Sequence, residues 1–210
     1  MSVKIGVSPI SWTNDDMPEL GRDTTVEHCL QEGKQAGFSG FELGGKWPRE
    51  KSILEPLFNK YEMEVVSSWF DGNLLVDSLE DEIKRITPHM QLLKDLGTEV
   101  IVYCEMDACV QGEITVPLSQ RPVISEDQWQ EWTIKLNQLA KYTLSHGMQL
   151  AYHHHMGTIV QIEEEVDKLM AMTSTDLGLV LDTGHLIYAG SDPLRTYEKY
   201  SDRVLHLPSK

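Results

Sequence analysis

Short apolar runs alternate with segments of helical periodicity along most of the chain. The runs predict strands over 3–7, 38–43, 64–69, 100–104, 148–153, 177–181 and 204–206. Between them, apolar residues recur every three or four positions, which is typical of helices. Helices are predicted over 24–37, 49–61, 77–97, from 125 through 142, 158–172 and 192–200. Three helix starts carry capping signals: Thr24 with Glu27, Asp77 with Glu80, and Ser125 with Gln128.

Strands that alternate with helices indicate parallel pairing and an α/β protein. No glycine-rich G-x-G-x-x-G turn follows the first strand, so the sequence does not favour a dinucleotide-binding sheet. The repetition instead predicts a (β/α)8 TIM barrel in a single domain over residues 1–210. Such barrels need about 250 residues, so we expect a C-terminally truncated barrel with seven strands and six helices.

Composition narrows the function classes. The chain has 210 residues, 18 Lys and Arg against 33 Asp and Glu, and a formal net charge of −15. This charge repels phosphate groups, so nucleic acid and anionic membrane surfaces are not expected partners. No apolar run approaches the roughly 20 residues of a membrane span, and no signal peptide is visible. Three cysteines at no metal-site spacing favour a reducing, cytoplasmic location.

Polar residues gather where the predicted strands end, which is where TIM barrels place their chemistry. They are Ser8, Trp12, Asn14, Glu42, Lys46, Trp69, Asp71, Glu105, Asp107, 153–155, Asp182, His185 and His206. Isolated charges are costly to bury, so packing alone does not explain this distribution. Glu42 could serve the site or pair with Lys46, and the tryptophans could cover a substrate ring or plug the barrel mouth.

Three consecutive histidines end the fifth strand. Strand alternation predicts that His153 and His155 face one way and His154 the other. Neutral imidazole is a good ligand for Zn, Mn, Co or Fe. The Asp182-Thr-Gly-His185 turn after the sixth strand adds a carboxylate and another imidazole. Asp182 is predicted to bind a metal ion, with a helix cap as the alternative role.

Three segments resemble the xylose-isomerase-like barrel superfamily: Gly-Phe-Glu-Leu-Gly from residue 40, Tyr-His-His-His-Met-Gly-Thr from residue 152, and Leu-Asp-Thr-Gly-His from residue 181. The segments 5–14 and 153–158 are similar to the narrower group of inosose dehydratases. The resemblance implies His153, Asp182 and His206 as metal ligands, with His155 as an alternative to His153. Pro208 stands where the superfamily has a second histidine, and the glutamate of an eighth strand has no counterpart. The tail 207–210 could arise from that pattern by a one-base shift in the coding DNA.

The resemblance implies elimination of water from 2-keto-myo-inositol, a cyclic polyol ketone, to give a trihydroxycyclohexanedione. It also implies a cobalt or manganese ion and glutathione as cofactors. Such an elimination requires a base and an acid, for which the candidates are His155, His185 and Glu105. Trp12, Asn14, Glu42, Lys46 and Trp69 are the predicted substrate-binding residues. We expect impaired activity in a truncated chain and leave a homo-oligomer open. The alternatives are a sugar isomerase or epimerase of the superfamily, and an inactive fragment or polyol-binding protein.

Overall fold

A computed structural model describes residues 5–208 and contains one parallel sheet with seven strands in chain order. The strands are β1 Gly6–Val7, β2 Gly40–Leu43, β3 Glu64–Gly72, β4 Val100–Glu105, β5 Gln149–His153, β6 Leu177–Val180 and β7 Val204–His206. Every predicted strand is present, although residues 3 and 4 of the first one lie outside the described residues. Parallel strands in sequential order are the topology expected of a (β/α)8 barrel.

Helices follow the strands and pack against the sheet. They are α1 Val26–Gln35, α2 Lys51–Lys60, α3 Leu79–Asp95, α4 Glu126–Ser145, α5 Glu163–Met172, α6 Thr183–Tyr188 and α7 Pro193–Tyr200. Six of these correspond to the predicted helices, and α6 was not predicted. Two short 3-10 helices, Pro9–Ser11 and Leu118–Gln120, lie in the loops after β1 and β4.

Two of the three predicted helix starts are wrong by one residue. Thr25 rather than Thr24 caps α1, and Ser78 rather than Asp77 caps α3. In both cases the hydroxyl oxygen accepts the backbone N–H three residues further on, as capping requires. The predicted capping box at Ser125 is confirmed. Helix α5 begins at Glu163, five residues after the predicted start, because residues 158–162 form a loop in which the Thr158 hydroxyl donates to the His155 carbonyl.

The apolar residues of the sheet divide between its two faces. Val102, Ala151 and Val180 form a small cluster on the interior face, where Trp69 also packs. The neighbouring positions, including Tyr103 and Tyr152, belong to a much larger cluster shared with the helices. Because side chains alternate along a strand, this division assigns every strand residue near the site to the interior or to the helix layer.

The described residues 5–208 contain no helix that is both long and apolar enough to cross a bilayer. Cys29 and Cys104 are buried free thiols, which agrees with their predicted places in a helix and a strand. The predicted cytoplasmic location, the homo-oligomer and the single domain over 1–210 stay predictions.

Gly33→Ala is expected to destabilise the protein although alanine is the better helix former. A Cβ added at Gly33 of α1 would lie 2.3 Å from Cε2 of Phe41, which is fully buried. Overpacking a core costs about 1–3 kcal/mol, whereas the gain in helix propensity is about 1 kcal/mol. Chemical denaturation should therefore give a lower free energy of unfolding, while the exposed helix control Gln31→Ala changes it by less than about 0.5 kcal/mol. A stabilised Gly33→Ala protein would contradict this packing.

Candidate functional site

A cavity of about 370 Å³ opens at the carboxyl ends of the strands. Among its lining residues are Glu42 from β2, Trp69 and Asp71 from β3, and His153 and His155 from β5 and the loop after it. These residues come from the strand ends that the sequence singled out. The cavity therefore lies where a TIM barrel is expected to hold its active site.

Beside this cavity, His153, Asp182 and His185 form a cluster of metal-binding groups. One ligand atom from each residue lies within 4.8 Å of the others. His153 Nε2 is 3.4 Å from Asp182 Oδ2, and His185 Nδ1 is 3.6 Å from the same oxygen. Two imidazole nitrogens and a carboxylate oxygen form a donor set typical of Zn, Mn, Co or Fe.

The sheet register explains why these groups meet. His153 pairs with Val180 across β5 and β6, and Val180 belongs to the interior cluster. Asp182 lies two positions beyond Val180 and continues the same face, because side chains alternate along a strand. Both residues are more than nine-tenths buried.

Asp182 also begins α6. Its Oδ1 accepts a hydrogen bond of 2.9 Å from the backbone N–H of His185, while Oδ2 is the oxygen nearest the imidazoles. The helix-cap role, which the sequence presented as the alternative to a metal-ligand role, is therefore present and uses Oδ1, whereas the predicted metal-ligand role would use Oδ2. The cap also explains how His185, three residues further on, returns to the cluster.

Aromatic rings support the cluster. The rings of His153 and His185 are stacked, with centroids 5.2 Å apart, and the His155 centroid is 4.2 Å from that of His185. Trp69 makes edge contacts with both His153 and His155, at 5.1 and 5.6 Å. Trp69 therefore forms part of the wall that holds the imidazoles in place and lines the cavity.

The histidine triplet divides as predicted. His153 and His155 line the cavity, whereas His154 is fully buried and is not among the lining residues. The strand ends at His153, yet the alternation continues for two more residues. The loop keeps this direction because the His155 backbone N–H donates to the Val160 carbonyl at 3.0 Å.

His153 has the properties of an imidazole that can coordinate a metal ion. Burial lowers the pKa of its imidazole well below the usual value, so the ring is neutral and able to coordinate a metal ion. Both of its ring nitrogens are buried and neither makes a hydrogen bond of normal geometry among the described residues, and Nε2 is the nitrogen that faces the cluster, 3.4 Å from Asp182 Oδ2. A buried polar atom without a partner is rare in folded proteins. The residues present therefore fit a divalent metal ion.

His155 has the tautomer of a base. Its Nδ1 lies 2.9 Å from the carbonyl oxygen of Met156. A carbonyl only accepts hydrogen bonds, so Nδ1 carries the proton and Nε2 carries the basic lone pair. This ring faces the cavity, as its predicted catalytic role requires.

His206, the third predicted metal ligand, is not in this cluster. Its Nε2 lies 3.9 Å from Oε2 of Glu42, which also accepts a 2.7 Å hydrogen bond from the Ser67 hydroxyl. Glu42 lines the cavity and thus contacts His206 rather than Lys46. Among residues 5–208, His185 rather than His206 completes the cluster with His153 and Asp182.

Three predicted substrate-binding residues are bonded within the protein and are not among the cavity-lining residues. Lys46 Nζ donates to the carbonyls of residues 21, 22 and 24 at 2.6–3.0 Å. Asn14 Oδ1 accepts the backbone N–H groups of residues 16 and 17. Trp12 packs on Phe41 and donates to Glu32. Their substrate-binding roles stay predictions, and only Glu42 and Trp69 of the predicted set line the cavity.

Glu105 lies on the wrong side of its strand for the predicted catalytic role. It is two positions beyond Tyr103, a residue of the helix-facing cluster, so it points away from the interior. Its Oε2 accepts hydrogen bonds from Trp132 Nε1 of α4 and from the Leu74 backbone N–H. The carboxyl group is fully buried, and burial raises its pKa to about 7.

Arg49 and Asp71 line the cavity, although the sequence assigned neither of them a catalytic, substrate-binding or metal-binding role. Asp71 Oδ1 accepts a 2.6 Å hydrogen bond from Trp69 Nε1 and so fixes that ring. Arg49 donates to the Ser68 hydroxyl and the Gly44 carbonyl, and burial lowers the pKa of its guanidinium. The position of Asp71 at the end of a predicted strand was a usable signal, whereas Arg49 was predicted only as the first residue of a helix and lies two residues before α2.

A profile of the xylose isomerase-like TIM barrel matches residues 30–208. The chain belongs to this family. It is 43% identical over 210 residues to the rhizopine catabolism protein MocC of Rhizobium meliloti, and 41% identical over 211 residues to inosose dehydratase 2 of Bacillus cereus. Each match covers the whole chain but only 65% and 71% of the relative, respectively. These relatives confirm the resemblance to inosose dehydratases.

Solved structures confirm the fold. The probable 3-DHS dehydratase AsbF of Bacillus anthracis superimposes with a TM-score of 0.73 at 16% identity, over 98% of this chain and 72% of AsbF. The IOLI protein, whose crystal structure holds a zinc atom, gives a TM-score of 0.70 at 14% identity, over 98% of this chain and 72% of IOLI. At these identities the similarity concerns the fold alone.

Proposed function

We propose that this site is that of an inosose dehydratase, a hydro-lyase that removes water from 2-keto-myo-inositol. The observation that carries the proposal is the cluster of His153, Asp182 and His185 beside a cavity lined by His155. Identity of about 40% to inosose dehydratases over the whole chain supports the choice of this reaction within the family.

The cluster would hold a divalent metal ion through His153, Asp182 and His185. When bound, such an ion supplies a positive charge next to the carbonyl oxygen of the substrate, where negative charge develops. Cobalt or manganese is the proposed ion on the strength of the family resemblance. Glutathione, which the same resemblance implies, stays a prediction.

The chain's own residues supply the proton transfers. His155 Nε2 takes the proton from the carbon next to the ketone, because its Nδ1 is held in the protonated form by Met156. The hydroxyl group on the adjacent carbon leaves with a proton as water. The proton that His155 Nε2 has taken passes to this hydroxyl group, and the His185 ring, whose centroid lies 4.2 Å from that of His155, packs against the His155 imidazole. Trp69 covers one wall of the cavity and excludes water from the reacting carbons.

The charge of the cavity favours a neutral polyol. Four carboxylates line it, those of Asp15, Asp16, Glu42 and Asp71, against one guanidinium, that of Arg49. Carboxylates accept hydrogen bonds from hydroxyl groups, whereas they repel a phosphate ester. We therefore propose an unphosphorylated cyclic polyol ketone as the substrate.

Metal titration of the purified chain tests the site directly. Isothermal titration with Co²⁺ or Mn²⁺ should show one bound ion per chain, and His153→Ala should weaken binding by more than the roughly 10–100-fold typical of outer-shell partners. The matched control is His28→Ala, because His28 is an exposed histidine of α1 and should bind like the parent protein. Equal affinity in His153→Ala and the parent would refute the site.

Product analysis distinguishes the proposed dehydration from isomerisation or epimerisation of the same substrate. Incubation with inosose should release the dione and one equivalent of water, and the new conjugated chromophore should be visible in the ultraviolet. An isomerase or epimerase would return a product of unchanged mass. A product of unchanged mass from a metal-loaded protein would therefore overturn the dehydratase assignment while leaving the metal site intact.

A further inference from the structure

Glu105 joins three parts of the protein on the helix side of the sheet. Its Oε2 accepts hydrogen bonds from Trp132 Nε1 of α4 at 2.8 Å and from the Leu74 backbone N–H at 3.0 Å. Its Oε1 accepts the Asp107 backbone N–H at 3.3 Å. Leu74 belongs to the loop after β3, and Asp107 to the loop after β4. One buried carboxyl group therefore connects two loops that follow cavity-bearing strands.

Hydrogen bonds on the helix side of the sheet hold the backbone of residues 71–74. The carbonyl of Asp71 accepts Arg85 Nη2 at 2.6 Å, and the carbonyl of Gly72 accepts the Met106 backbone N–H at 2.9 Å. The next two N–H groups donate to carboxylates, that of residue 73 to Glu82 and that of residue 74 to Glu105. Four consecutive residues are thus fixed where β3 leaves the sheet.

These bonds lie directly behind the wall of the cavity. Asp71 lines the cavity and accepts the Trp69 indole N–H. Trp69 in turn makes edge contacts with His153 and His155. Met106, whose backbone N–H bonds Gly72, is also a lining residue. A shift of the loop after β3 would therefore displace the Trp69 ring against the histidines.

We propose that Glu105 is a positioning residue, whose buried carboxyl group holds the loops after β3 and β4 so that Asp71 and Trp69 stay in place at the cavity wall. This assigns to Glu105 a role different from acid–base catalysis, because the residue does not face the cavity. The effect on turnover rests on the proposed function, whereas the effect on the loops does not.

A carboxylate suits this role better than an amide. It offers two acceptor oxygens with about four lone-pair sites, and all three donors around Glu105 are N–H groups. Glutamine at this position would present one oxygen and one NH₂ group, so at least one backbone N–H would meet another donor. Burial, with a smaller contribution from Glu82, raises the pKa of Glu105 to about 7. Both oxygens of Glu105 can accept these three N–H groups only when the carboxyl group is ionised.

Titratable groups surround Glu105 on most of the elements that pack against it. Glu82 comes from α3, Tyr103 and Cys104 from β4, and Tyr152 from β5. Asp107 lies in the loop after β4, and α4 contributes the uncharged Trp132. Burial raises the pKa of the two phenols and of the Cys104 thiol well above their usual values. Near neutral pH, these three groups therefore stay protonated while Glu105 changes its charge.

Amide hydrogen exchange tests the hydrogen bonds to Glu105 independently of any activity. In Glu105→Ala, the amides of residues 72–77 should exchange about tenfold faster than in the parent protein, because the Leu74 N–H loses a buried acceptor. The matched control is Glu163→Ala, which removes a buried glutamate of α5 that pairs with Arg195 and Lys199. If exchange in 72–77 rises equally in both variants, the effect is general loosening and the proposal fails.

Trp132 provides a second readout, because it donates to Glu105. The emission of the parent protein should change with an apparent pKa near 7, and both Trp132→Phe and Glu105→Gln should lose this transition. In turnover assays, Glu105→Gln should lower kcat more than it changes KM, and cobalt or manganese affinity should not change. A parent-like emission transition in Glu105→Gln would overturn the proposal even in a protein with full metal content. Absent turnover in the parent protein with intact exchange and emission effects would refute the proposed function alone.

Discussion

Asp182→Asn is expected to remove tight metal binding and, with it, turnover, while the protein stays folded. Asp182 Oδ2 lies 3.4 and 3.6 Å from nitrogens of His153 and His185. Hard divalent cations depend on the carboxylate charge, which the amide lacks. The loss of affinity should exceed the roughly 10–100-fold that removal of an outer-shell partner costs. Titration calorimetry and the rate of dione formation measure the two effects.

The cap at α6 makes this substitution a clean test. Asn and Asp are about equally good N-caps, so the bond from the His185 backbone N–H to Oδ1 can persist in the variant. Asp192→Asn is the matched control, because Asp192 caps α7 through the Leu194 backbone N–H and is not part of the metal cluster. Full activity and unchanged metal content in Asp182→Asn would contradict the assignment of Asp182 as a ligand.

The fold could be predicted from the sequence because every strand is a short apolar run and six helices carry periodic apolar patterns. The missed helix, α6, has six residues, too few for such a pattern to repeat. Helix α6 begins within the Asp182-Thr-Gly-His185 segment, where the sequence suggested either a metal ligand or a helix cap at Asp182. The sequence could not show that Oδ1 of Asp182 makes the cap while Oδ2 faces the imidazoles.

The candidate site was predictable where a strand fixes the direction of a side chain. His153, His155 and Asp182 follow strand alternation, and the structure places them together. Glu105 obeys the same alternation on the opposite face, but the sequence does not say which face of β4 is interior. That choice depends on Val102 and Tyr103 packing into different clusters, which is a tertiary fact. His206 and Lys46 were placed by analogy or proximity along the chain, and their partners come from distant loops and strands.

Arg203→Ala is expected to lower the free energy of unfolding by about 3 kcal/mol or more, because it leaves several buried carbonyls without a donor. The Arg203 guanidinium donates to the carbonyls of residues 170, 173, 174 and 177 and to the Thr173 hydroxyl, at 2.7–3.4 Å. These acceptors lie at the end of α5 and the start of β6. The Arg203 side chain, from the loop before β7, therefore joins α5 to β6, the strand that leads to Asp182.

Two controls separate this network from charge alone. Arg203→Lys keeps the charge but replaces a planar fork with a single ammonium group, and it should recover less than half of the lost stability. Arg195→Ala removes an exposed arginine that pairs with Glu163, for which a cost of about 0–1 kcal/mol is expected. Urea unfolding monitored by circular dichroism measures all three variants. Equal losses in Arg203→Ala and Arg195→Ala would show that the buried network contributes no more than a surface pair, and that the approach of β6 to the site is fixed by its apolar contacts.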